Sequence, residues 1–182
     1  FSAPMVSAIL GGKKTQTRRA LRDDTWLDPK LGAIRMCNVA MGVTGFQEVD
    51  CPYGQPGDRL WVREAFRFLA VHDHVPPREI SSGPLWYEAQ DEVPFHPSEF
   101  GKLRPSMFMP RWASRITLEI TEVRVERLQD ISEADSISEG AAGHPDGPWH
   151  AYRSLWTLIN GPDSWEANPW VWVVSFNPPI SG

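Results

Sequence analysis

The sequence predicts an α+β fold, a small mixed β-barrel with flanking helices and long loop insertions. Three stretches carry that expectation. Residues 59–68 alternate apolar and charged side chains, residues 114–127 string Ile116, Leu118, Ile120, Val123 and Val125 along one long strand, and residues 170–176 are almost continuously apolar. No regular alternation of strand and helix joins them, which argues against βαβ units.

In chain order, Pro4 at a helix N1 position and the apolar Met5, Val6, Ala8, Ile9 and Leu10 read as a short helix, stopped by Gly11-Gly12. Residues 15–19 begin a strand. Residues 22–56 show little periodicity and several Gly and Pro, so a long loop or insertion is expected there. Gly57-Asp58 turns the chain into the strand 59–68, and Leu85-Trp86-Tyr87 makes a shorter strand between the Pro-rich, irregular segments 75–84 and 94–110. The strand 114–127 changes phase once, which predicts a bulge near Thr121-Glu122.

Ser132 with Asp135 marks a helix start, running to about Glu139 with Ala134, Ile137 and Ala141 on one side and Gly140 as the stop. A second helix is expected over 149–159. The closing strand, Trp170 to Phe176, is apolar enough that both of its faces should be covered. The 182 residues suit a single domain spanning 1–182, with insertions at about 22–56 and 70–112.

Composition bounds the function. With 41% hydrophobic and 23% charged residues, and no apolar run of the length a membrane helix needs, the chain reads as a soluble protein with no membrane partner. Cys37 and Cys51 alone cannot staple a domain of this size, so a cytoplasmic location is expected. A net charge of −5 argues against sequence-independent tracking of a phosphate backbone. Within that acidic chain, Lys13, Lys14, Arg18, Arg19 and Arg22 form a local basic patch with no acid before Asp23, better suited to a small anionic or polar ligand than to a long duplex.

The segment Gly11-Gly12-Lys13-Lys14-Thr15-Gln16-Thr17-Arg18-Arg19 is the most informative in the chain. A glycine-stopped helix releases the backbone into a tight turn able to approach a ligand, with cations beside it. The same pattern also serves as a plain C-cap whose charges favour the helix dipole. Gly12, Lys14 and Arg19 resemble the signature of the ASCH family, Gly-x-Lys followed by Arg. The order of Gly57-Asp58 opening a strand, the strand 114–127 and the helix at Ile131-Ser132-Glu133 is similar to the ASCH layout over most of the chain. The ends, Phe1 to Met5 and Asn168 to Trp172, look similar to larger ASCH-like proteins of phages and prophages.

The resemblance implies a PUA-like barrel that binds nucleosides or RNA. One branch of the family removes the acyl group from N(4)-acetylcytidine with a lysine as proton acceptor, a threonine three residues later as nucleophile, and a glutamate as proton donor. Those roles fall on Lys14, Thr17 and Glu139. Other ASCH-like proteins have been viewed as RNA binders or ribonucleases, so a non-catalytic RNA- or nucleotide-binding module is the alternative. Either reading names a nucleoside or nucleotide as ligand, calls for no cofactor and no metal, and leaves the oligomeric state open.

The chemistry is sound in principle. A threonine hydroxyl needs a base, and a lysine serves as one only when its pKa is depressed, as Lys13, Arg18 and Arg19 would help to do. The helix C-terminus disfavours a carboxylate at Glu139, which suits an acid donor, and Arg19 is placed to hold a ligand oxygen or developing negative charge. The bland counterparts are a solvated Lys14, an ordinary strand residue at Thr17 and a surface carboxylate at Glu139.

Among the nine Trp residues most are core, while Trp165 and Trp112 are candidates to support a nucleobase. Glu64 could meet a base edge or join a strand-face salt bridge with Arg63 or the neighbours of Arg67. Cys37, Cys51, His72 and His74 lack the paired spacing of a structural zinc site. No phosphate-cradling Gly-x-x-x-x-Gly-Lys loop, Gly-x-Ser-x-Gly elbow or His-Glu-x-x-His pair is present, which removes those enzyme classes.

Overall fold

The computed structural model describes residues 1–21, 25–28, 30, 33–40, 43–90, 92, 96–141 and 143–179. In chain order its elements are α1 (Ala3–Leu10), β1 (Gln16–Ala20), β2 (Thr25–Asp28), β3 (Ala33–Ala40), β4 (Val43–Glu48), β5 (Arg59–Trp61), β6 (Phe66–Arg67), β7 (Trp86–Tyr87), β8 (Thr117–Arg127), α2 (Glu133–Ser138), α3 (Pro148–Asn160) and β9 (Trp170–Phe176). Helices with antiparallel strand pairs make the class α+β. Among the described residues the sheets are open and no closed barrel is formed.

Backbone contacts divide the chain into two units, one of residues 1–13, 59–118 and 178–182, the other of residues 14–58 and 119–177. In the second unit β9 lies between β1 and β8, antiparallel to both. Its continuous apolar run is explained by that central position. Val171 and Val173 pack with Leu128, Tyr152, Trp156 and Trp165 on one face, and Trp172 packs with Leu21 and Ile34 on the other. The expected bulge is present as a register shift between Ile120 and Glu122.

The segment expected to be a loop is not one. Residues 25–48 form an antiparallel sheet of order β2-β3-β4, with Thr25 opposite Met36 and Arg35 opposite Glu48. Strand formers there are interleaved with Gly and polar residues, which hides the alternation that pairing reinforces.

In the first unit the strand expected over 59–68 is broken. Only 59–61 and 66–67 are strand, because Val62 N–H bonds Ile116 O while Phe66 exchanges bonds with Arg104 and pairs with Tyr87 of β7. The alternation survives the break: Val62, Glu64, Phe66 and Phe68 are buried. Phe66, Phe68, Ile80, Met109 and Ala113 form this unit's core.

Candidate functional site

Helix α1 ends as the sequence implies. Gly12 adopts φ 67°, its N–H bonds Ile9 O, and the Lys13 N–H reaches back to Ala8 O, the paired bonds of a glycine-stopped helix. Gly12 is therefore accounted for by the turn itself.

Lys14 then meets the C-terminal end of α2. Ser132 caps that helix, its hydroxyl accepting the Asp135 N–H at 3.0 Å, and Glu139 is the residue at its C-cap. Of the side expected from Ala134, Ile137 and Ala141, only Ala141 is buried, while Ala134 and Ile137 are exposed and α2 turns Ser136 and Glu139 inward. Polar residues can face inward here because each has a partner: the Ser136 hydroxyl donates to Ser132 O, and Glu139 meets a lysine. Backbone bonds fix the junction, with Thr15 N–H donating to Ser138 O and Lys14 bridging Glu139.

The Lys14 ammonium donates to Glu139 Oε2 at 2.7 Å, to Glu139 O at 2.8 Å and to Gln16 O at 2.9 Å, with side-chain exposure of 1% for Lys14 and 5% for Glu139. The second carboxylate oxygen of Glu139 lies 3.4 Å from Arg18 Nη1. Arg18 is itself buried and donates to Gln16 Oε1 at 2.6 Å, to Glu126, and lies 3.1 Å from Asp135. Arg124 closes the network on Glu126 and Asp135. With Glu122 joined through Arg124 at 3.2 Å, three cations thus face four carboxylates in one continuous set, the pairing that its buried members require.

Burial pushes the Lys14 ammonium below the usual lysine range, against the pull of Glu139, and Arg19 and Arg18 add to the lowering. The expected direction is found, with desolvation and not neighbouring charge as its main cause. Desolvation works to raise Asp135, but Arg18 and Arg124 outweigh it and hold the carboxyl below its usual value. Burial pushes the hydroxyl of Tyr152, whose ring lies 5.9 Å from the Arg18 guanidinium, well up.

Register sorts these side chains onto two faces. Gln16 stands opposite Ser175, and Arg18 opposite Val173, which in turn faces Arg124. The alternate row places Thr17 opposite Val174 and Arg19 opposite Trp172. Thr17 and Arg19 therefore share a face of β1, and Gln16 and Arg18 share the other. Lys14 Nζ sits beside the Gln16 carbonyl, which lies in the same peptide plane as Thr17 Cα.

The remaining candidates are dispersed. Glu64, in the first unit, is buried and held by Arg115 through two bonds of 2.9 Å, so its partner is neither Arg63 nor Arg67. Trp112 donates its indole N–H to Ile80 O at 2.7 Å and stacks on Phe68. Trp165, in the second unit, is buried edge-on against Trp149 at 5.1 Å. Cys51 is a half-buried free thiol, and the side chain of Cys37, like Arg22, lies outside the described residues.

Sequence reasoning missed Gln16 and Glu126, and gave Arg18 and Asp135 other parts, a charge beside Lys14 and a helix start with Ser132. A signal existed: Lys14, Gln16 and Arg18 recur every second residue along a strand, and Glu122, Arg124 and Glu126 do the same on β8. No protein-family model, curated protein or solved structure matches the chain.

Proposed function

We propose that the chain is an ASCH-type, PUA-like protein that hydrolyses the acylated exocyclic amine of a cytidine-like nucleoside. The observation that carries this is the 2.7 Å contact between Lys14 Nζ and Glu139 Oε2, made by residues 125 positions apart. In a buried pair the ionic form loses its hydration, which narrows its advantage over the neutral form. One proton moved along that bond makes Lys14 a free amine and Glu139 a carboxylic acid at once, so a base and an acid arise together.

The amine then takes the Thr17 hydroxyl proton as Oγ1 attacks the acyl carbon, and Arg19 on the same strand face balances the oxyanion. Glu139 protonates the departing cytosine amine as the carbon–nitrogen bond breaks. Water hydrolyses the threonine ester and releases the carboxylic acid, restoring the pair.

A second reading, a nucleotide- or RNA-binding module without turnover, is favoured by a different observation. Thr17 stands in the row of Val174 and Val123, while the ammonium of Lys14 already has three acceptors. Incubation with N(4)-acetylcytidine and chromatography separates the two. The hydrolase releases cytidine, and Lys14→Ala and Thr17→Val each slow release by about a hundredfold or more. Saturable binding with no release overturns hydrolysis and leaves the module.

A further inference from the structure

Outside the Lys14 region the second unit carries a cleft of about 340 Å³ along α3. His150, Arg153, Ser154 and Thr157 occupy successive i, i+3, i+4 and i+7 positions and line it from one helix stripe, while Tyr152 and Trp156 of the same helix are buried in the core. His144 lines it from the segment before the helix, and Trp165 and Glu166 from the segment after it. Nothing in the proposed hydrolysis uses these residues.

The lining is rich in donors. His144 Nδ1 accepts the Asp146 N–H at 3.1 Å, so in the neutral ring the proton sits on Nε2, available to donate. The ring stacks on His150 with centroids 6.0 Å apart and planes 23° from parallel, and His150 meets Trp149 edge-on at 5.0 Å. Trp149 in turn packs on the buried Trp165 at 5.1 Å. This chain of ring contacts places both imidazoles side by side at the cleft. Ser154 and Thr157 add hydroxyls, and Arg153 adds a guanidinium.

Among the described lining residues the carboxylate is Glu166, which accepts from Arg153 Nη2 at 2.8 Å, and beside the lining Asp146 Oδ2 stands 3.7 Å from His144 Nδ1. Arg153 and Glu166 are both largely exposed, and such pairs are held weakly, so the guanidinium can exchange its partner for an incoming anion. Two imidazoles, a guanidinium and two hydroxyls together suit a ligand made of acceptors with a compact negative charge. We infer that this cleft is a binding site for a phosphate monoester. Its volume leaves room for part of the group that bears the phosphate.

The test uses the full chain at one pH and reads the His144 and His150 imidazole signals by nitrogen–proton correlation NMR. The probes are inorganic phosphate, a nucleoside 5′-monophosphate and the parent nucleoside. Both phosphates are expected to shift the two imidazoles saturably, the nucleoside is not, and Lys14→Met leaves the response unchanged, which separates this site from the hydrolytic one. Arg153→Gln and Ser154→Ala each weaken binding, the former by about tenfold. Glu166→Gln, which removes the competing carboxylate, tightens it by about threefold, a gain that damaged folding cannot produce. No saturable shift, an equal response to the nucleoside, or weaker binding by Glu166→Gln overturns the proposal.

Discussion

At the scale of the residue, Lys14 is the group whose titration reports its surroundings. Its folded pKa lies below the unfolded value of 10.5, with burial as the chief cause. Between those two values the unfolded chain holds a proton that the folded chain has released, so stability rises with pH through that window. Below the folded value the cost of burying the ammonium is present in full. Burial raises Cys51 and Tyr87, which slopes the other way at high pH, so the clean quantity is the difference between wild type and Lys14→Met. Urea unfolding between about pH 8 and about pH 10 should show that difference moving in favour of the wild type as pH rises. A flat difference would mean that Lys14 keeps its proton in the folded chain throughout. That Lys14 and Glu139 come together was expected from the sequence. The role of Arg18 was not, since it rests on strand parity and on carboxylates more than a hundred positions away.

At the scale of the element, α2 has six residues, too short to hold itself together, so its ends carry it. Ser132→Ala removes the cap bond to Asp135 N–H and should lower stability by about 1 kcal/mol in chemical denaturation, with Ser132→Asp restoring most of it. Under the proposed hydrolysis, the same loss loosens the C-cap residue Glu139 opposite Lys14, and activity on an acylated nucleoside falls with it.

Elements defined by local chemistry were legible: the glycine stop of α1, the cap of α2 and the phase change that became the β8 register shift. Elements defined by pairing were not. β2, β3 and β4 have a weak pattern of their own and are strands because each supplies the other's backbone partners. The break between β5 and β6 likewise follows from bonds to Ile116, Arg104 and Tyr87, none of them near in sequence.

At the scale of the whole molecule, the chain passes between its two units at residues 13–14, 58–59, 118–119 and 177–178. None of these points is a linker in composition, and one lies inside β8, so the sequence carries no mark of the division. Charge differs between the units. The first carries nine Lys and Arg against seven Asp and Glu, the second nine against sixteen. The conserved quantity for a polyanion is the number of phosphates neutralised, and in the second unit Arg18, Arg124 and Lys14 are already committed to Glu126, Asp135 and Glu139. Few cations there remain for a strand to displace counterions from. A labelled RNA of about twenty nucleotides, followed by fluorescence anisotropy, should therefore lose less than about tenfold in affinity between about 50 and about 200 mM salt, the slope of roughly two neutralised phosphates. A steeper fall would mean that the strand follows a continuous basic track, and would favour the RNA-binding reading over the proposed nucleoside hydrolysis.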